Sequence, residues 1–106
     1  LKTITKSFSH SFGAGQSGTS VSLASFNLPT GNYIISVFST GGGSDASISL
    51  DQASTYYQYY QGSFQPSVFA LAEPDSSGII SFHITASTNN ASTTTGVIVI
   101  EHVDNV

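Results

Sequence analysis

Four of the chain's five tyrosines fall in one stretch, "STYYQYYQGSF", residues 54 to 64, as the doublets Tyr56-Tyr57 and Tyr59-Tyr60 with Gln58 and Gln61 between and after them. Tyrosine offers an apolar ring with a polar tip, and glutamine an amide that both donates and accepts. Together they suit two tasks: stacking and hydrogen-bonding a sugar, or filling the core of a protein interface, where tyrosine is enriched and charge depleted. In a strand, successive side chains point to opposite faces. Tyr57, Tyr59 and Gln61 then point one way, and Tyr56, Gln58 and Tyr60 the other. Whichever set packs inward, two tyrosines are left to meet a partner, so Tyr56, Tyr57, Gln58, Tyr59, Tyr60 and Gln61 are the candidate binding or interface residues.

Other chemistries find less support. "GAGQSG" matches G-x-G-x-x-G at Gly13, Gly15 and Gly18, but the phosphate-binding version opens a helix, and "TSVSLASF" follows here with the period of a strand. It reads as a flexible hairpin loop. No G-x-S-x-G elbow occurs to place a serine nucleophile. A glycosidase needs two carboxylates across a cleft. Of the six acids, Asp45, Asp51, Glu73 and Asp75 lie in or beside turns and Asp104 in the C-terminal tail, which leaves Glu101 alone inside a strand. His10, His83 and His102 form no short-spaced pair of metal ligands. The expectation is a protein that is not an enzyme and has no metal and no cofactor. "NAS" at Asn90 to Ser92 is a glycosylation sequon in a polar loop.

The charge count excludes more. Lys2 and Lys6 are the only cationic side chains in 106 residues, and the formal charge is -4. Binding nucleic acid or an anionic membrane requires lysines and arginines to displace counterions, so neither is expected as a partner. Polarity comes instead from twenty serines and eleven threonines. No run approaches the roughly twenty apolar residues of a membrane-spanning helix. The chain has no cysteine, so packing and backbone pairing must carry stability. Beyond residue 6 a trypsin-like protease finds no site, which suits an extracellular protein or one on a virion surface.

The elements that must hold these residues are strands. Ile4, Phe8, His10 and Phe12 share one parity against Thr3, Thr5, Ser7, Ser9 and Ser11, and no window carries a helical stripe. A second strand spans about Thr19 to Leu28, where Val21 and Leu23 take one parity and Phe26 and Leu28 the other, which predicts a bulge near Ala24-Ser25. "LPTG" reads as a β-turn with proline second and glycine fourth. "YIISVFS" is apolar on both parities, as in a central strand covered on both sides. "ASISL", the tyrosine stretch, "PSVFALA", "IISFHITA" and "GVIVIEHV" complete about eight strands, with "STNNASTTT" as a loop before the last. One all-β domain over residues 1–106 is expected, an antiparallel, jelly-roll-like β-sandwich.

The segment "SVSLASFNLPTGNYIISVFSTGGGSDASISLD" resembles one common in trimeric jelly-roll heads, including complement-like and tumour-necrosis-factor-like domains and the tips of phage and viral fibres. A strand, a Pro-Gly turn, a Gly-x-Tyr start to the next strand, a Gly-rich turn and a "SISL"-like strand follow in order, matched by Pro29, Gly31, Tyr33, Ile48 and Leu50. The resemblance implies a non-enzymatic homotrimeric head used for attachment.

The expected function is that of a self-associating surface domain of an extracellular or virion assembly: a fibre tip, decoration protein or appendage subunit. Two alternatives accompany it. One is a lectin-like module that binds a cell-surface glycan or receptor through Tyr and Gln. The other is a filament subunit that donates the alternating strand "LKTITKSFSHSF" to a neighbour's sheet.

Overall fold

The computed structural model describes the backbone of residues 3–52, 54–60 and 67–103, and the side chains of residues 3–52 and 68–103. Eight strands follow one another: β1 (Thr3–Phe12), β2 (Ser20–Asn27), β3 (Asn32–Gly41), β4 (Ala46–Leu50), β5 (Ser54–Tyr60), β6 (Ser67–Ala72), β7 (Ile79–Ala86) and β8 (Ser92–Val103). They form two antiparallel sheets, one ordered β1-β8-β3-β6-β5 and the other β2-β7-β4. The first strand pairs with the eighth, the second with the seventh and the third with the sixth. The chain is thus a long antiparallel ribbon wound into a sandwich, which is the jelly-roll plan. β5 departs from a four-plus-four arrangement, because it pairs with β6 at the edge of the larger sheet.

Alternation decides which face of each strand turns inward. Ile80, Phe82, Ile84 and Ala86 of β7, with Ala46, Ile48 and Leu50 of β4, face Tyr33, Ile35 and Val37 of β3, Val68, Ala70 and Ala72 of β6, and Ile98 and Ile100 of β8. Phe82, Ile35, Ile48, Ile80 and Ile84 are fully buried. Each stabilises the fold by about 1.5–3 kcal/mol through lost apolar contact with water. Phe26 meets Phe82 edge-on, with ring centroids 6.1 Å apart. The register shift that allows this falls between Ser22 and Ala24, within two residues of the predicted bulge. The core's one buried polar side chain among the described residues, Thr94, donates its hydroxyl to the Gly42 carbonyl at 3.0 Å.

Three expectations need correction. "GAGQSG" joins strands of different sheets, so it is a crossover and not a hairpin. It is also fastened, by Gly15 N–H to the Asn89 carbonyl (2.8 Å), Gly18 N–H to the Ala86 carbonyl (2.8 Å) and Ser17 N–H to Asn89 Oδ1 (3.1 Å). The last strand begins at Ser92 and not at Gly96. Thr93, Thr94 and Thr95 are β-branched and suit a pleated surface; Thr93 accepts or donates a 2.8 Å hydroxyl bond with Ser11 across the ladder. Finally, β3 is central in its sheet, but only its inner face is covered. Phe38 is 53% exposed.

Candidate functional site

That open face of β3 belongs to a larger apolar surface. Directly paired residues of antiparallel strands project to the same side, so the register maps the outer face of the five-stranded sheet in rows. Thr3, Glu101, Ile34 and Leu71 make one row, and Thr5, Val99, Ser36 and Phe69 the next. Ser7, Val97 and Phe38 make the third. The β8, β3 and β6 columns therefore present Val97, Val99, Ile34, Phe38, Phe69 and Leu71 around the small hydroxyl of Ser36. Phe69 is 49% exposed, and Ile34, Leu71, Val97 and Val99 are half-buried. Glu101, at one corner, is the only charge in these rows. Lys6 lies on the opposite parity, in register with the buried Ile98.

Strands about 4.8 Å apart and rows about 6.8 Å apart make this block of nine positions, six of them apolar, on the order of 300 Å² in projection. A patch of that size on a monomer is commonly functional.

The tyrosine strand borders this block. β5 is the edge strand next to β6, with Tyr56 in register with Leu71, Gln58 with Phe69 and Tyr60 with Ser67, while Tyr57 pairs with Ala70 and Tyr59 with Val68. Tyr56, Gln58 and Tyr60 thus fall in register with the face-forming rows, and Tyr57 and Tyr59 with buried residues of β6. The side chains of all five, and Gln61 altogether, lie outside the described residues. The candidate site is therefore the face of the sheet, with the tyrosine strand as one border. The six apolar residues at its centre were missed from sequence, although a signal was present: "YIISVF" and "VIVIE" are apolar on both parities, and for the first of them covering by a second layer was taken as the cause.

The opposite face of the sandwich has a different character. Ser20, Ser22, Ser25, Ser47, Ser49, Ser81, His83 and Thr85 line the outer side of β2, β7 and β4. Asp51, placed from sequence in or beside a turn, is a fastener here. Its carboxylate accepts from His83 Nδ1–H at 2.7 Å and from the Ser81 hydroxyl at 2.8 Å. Next to it, the Gln52 side-chain amide donates to the Ile79 carbonyl (2.9 Å) and accepts from Ser81 N–H (3.0 Å). That pair continues the β4–β7 ladder past the end of β4. Asp51, Glu73 and Asp75 also line a shallow cleft of about 400 Å³. Asp75 spends one oxygen on the backbone N–H groups of Ser77 and Ile79, which shapes the turn before β7. The serine that reaches Asp51 bonds the carboxylate and not the imidazole, which is not the relay a serine nucleophile uses. Among the described residues no group of three or more His, Asp or Glu is placed to hold a metal ion.

His10 sits edge-on to Phe12 at 4.7 Å, half-buried as its parity predicts. His102 stacks on Tyr33 at 4.9 Å. The three histidines thus occupy three separate places in the fold.

The chain matches no protein-family model, no curated protein and no solved structure.

Proposed function

We propose that the protein is a non-enzymatic, self-associating β-sandwich subunit whose copies meet through the outer face of the five-stranded sheet. The observation that carries this reading is the exposure of Phe38 and Phe69 in the middle of a nearly uncharged sheet face. Water contact with that block is unfavourable by roughly 25 cal/mol per Å² of apolar surface, and a like face removes it. The near absence of charge lowers the desolvation cost of such a contact and leaves little like-charge repulsion, despite a formal charge of -4. A second copy is self-complementary in chemistry, since it brings the same aliphatic and phenyl groups.

A trimer is the arrangement implied by the resemblance to jelly-roll heads, and an extracellular or virion assembly is the setting that suits a cation-poor, Ser- and Thr-rich surface. Light scattering over a wide concentration range tests the reading. A mass that is a multiple of the 11.0 kDa chain is expected: two-fold where two like faces close on each other, three-fold where three of them surround an axis as in the trimer. A strict monomer at high concentration overturns it.

A further inference from the structure

One end of the sandwich holds a pocket that the self-association face does not use. It lies where β1 and β3 begin and β2 and β8 end, has a volume of about 180 Å³, and is lined by Ile4, Asn27, Leu28, Tyr33, Ile100 and His102, closed on one side by Pro29. Its walls are held in place. The Tyr33 hydroxyl donates to the Pro29 carbonyl at 2.7 Å, and the ring lies nearly parallel to the His102 imidazole, 29° from it at 4.9 Å. Gly31 backs the imidazole so closely that a Cβ there would lie 2.6 Å from Nε2. Leu28 and Ile100 are buried, so the floor is apolar.

We propose that this pocket binds a phenol-class ligand: one neutral aromatic ring with a single hydrogen-bonding substituent. Size sets the first limit. A cavity of roughly 150 Å³ lined by aliphatic and aromatic side chains accommodates benzene, so about 180 Å³ takes a ring and one or two further atoms. Charge sets the second, since the lining holds no carboxylate, lysine or arginine to pair an ionised ligand. Polarity sets the third. A pyranose carries a hydroxyl on nearly every ring carbon, and against Ile4, Leu28 and Ile100 several would be stripped of water without a partner, at a cost of about 1–3 kcal/mol each. Asn27 and His102 supply the polar side-chain groups of the lining beside a Tyr33 hydroxyl already committed to Pro29, which matches one substituent and not five. The ring can arrive as a free small molecule or as a tyrosine side chain of another polypeptide.

Two-dimensional NMR of the full chain, titrated with 4-methylphenol and separately with N-acetyltyrosinamide, tests the proposal. Saturable shifts centred on Ile4, Leu28, Ile100 and His102 are expected with 4-methylphenol, in the millimolar range usual for a ligand of this size. Equal binding of N-acetyltyrosinamide assigns the natural ring to a polypeptide, and its exclusion assigns it to a free phenol. Ile4→Trp fills the pocket from the edge strand and should abolish the shifts, while Asn27→Ala should weaken binding about fivefold through the lost hydrogen bond. The same titration on the Phe38→Lys, Phe69→Lys variant should be unchanged, which separates this site from self-association. No shift with either ring, shifts that survive Ile4→Trp in a folded protein, or equal binding of galactose would overturn the assignment.

Discussion

Phe38 and Phe69 stand on neighbouring strands one row apart, since Ser36 pairs with Phe69 and Val37 with Val68. That diagonal places two half-exposed phenylalanines on the outer face of β3 and β6. On a sheet, diagonal neighbours are about 7–8 Å apart at Cα and within reach of one another's aromatic rings. The pair is a ready contact for an identical pair, and Ser36, between them and the valines of β8, is the low point of the block.

Cross-linking turns that geometry into a prediction. The chain has no cysteine, so a single one reports only its own position. Ser36→Cys, at the centre of the five-stranded face, should give disulfide-linked or bifunctionally linked species on mild oxidation at micromolar concentration. Ser22→Cys, on the outer side of β2 in the other sheet, should stay monomeric under the same conditions. Equal linkage of the two would indicate random collision.

Gly96→Ala should be strongly destabilising. A Cβ at position 96 would collide with the Phe38 carbonyl oxygen and with the Phe8 ring, which lies over the glycine from the paired position on β1. Overpacking of this kind costs about 1–3 kcal/mol, and a backbone atom as the obstacle puts the loss at the upper end. A lowered urea midpoint with an unchanged slope is the expected result. An unaltered midpoint would show that β1 does not seat on β8 in this register.

Asp51→Ala should cost about 1–2 kcal/mol by removing the acceptor for the Ser81 hydroxyl and His83 Nδ1–H at a partly exposed site. Asp51→Asn keeps an acceptor oxygen and should recover about half of the loss. Thermal unfolding of the two variants provides the comparison; identical melting would mean that the carboxylate contributes nothing as a fastener.

The sandwich was legible because most strands obey a single rule. β7 reads Ile80, Phe82, Ile84 and Ala86 inward with Ile79, Ser81, His83 and Thr85 outward, and β1, β2 and β4 alternate likewise, apart from Lys6 on β1 and the bulge on β2. Strand pairing was not legible, since parity says which face is apolar and nothing about which strand lies alongside. The outer face was misjudged at β3, where an apolar residue on both parities is equally consistent with a second covering layer and with an exposed apolar surface. Only the sheet order separates them. The tyrosines stood out through a composition bias, and their strand borders that face, while Phe38, Phe69 and Val97 carried no bias to notice. Asp51 was read only as a turn residue because its role depends on Ser81 and His83, thirty residues further along the chain and adjacent only in the fold.

If copies of the protein meet through the face that carries Phe38 and Phe69, charge placed on that face must separate them. Sedimentation velocity on a matched pair of double variants tests it most directly. Phe38→Lys with Phe69→Lys places two cations on that face, and Ser22→Lys with Ser25→Lys places the same charge on the other sheet. Both pairs sit at surface positions, where substitutions change folding stability by about 0.5 kcal/mol or less unless a contact is lost. The phenylalanine variant is expected to sediment as a monomer and the serine variant as the wild-type oligomer. Sedimentation of both variants as the wild-type oligomer, or of the wild type itself as a monomer, would contradict the claim.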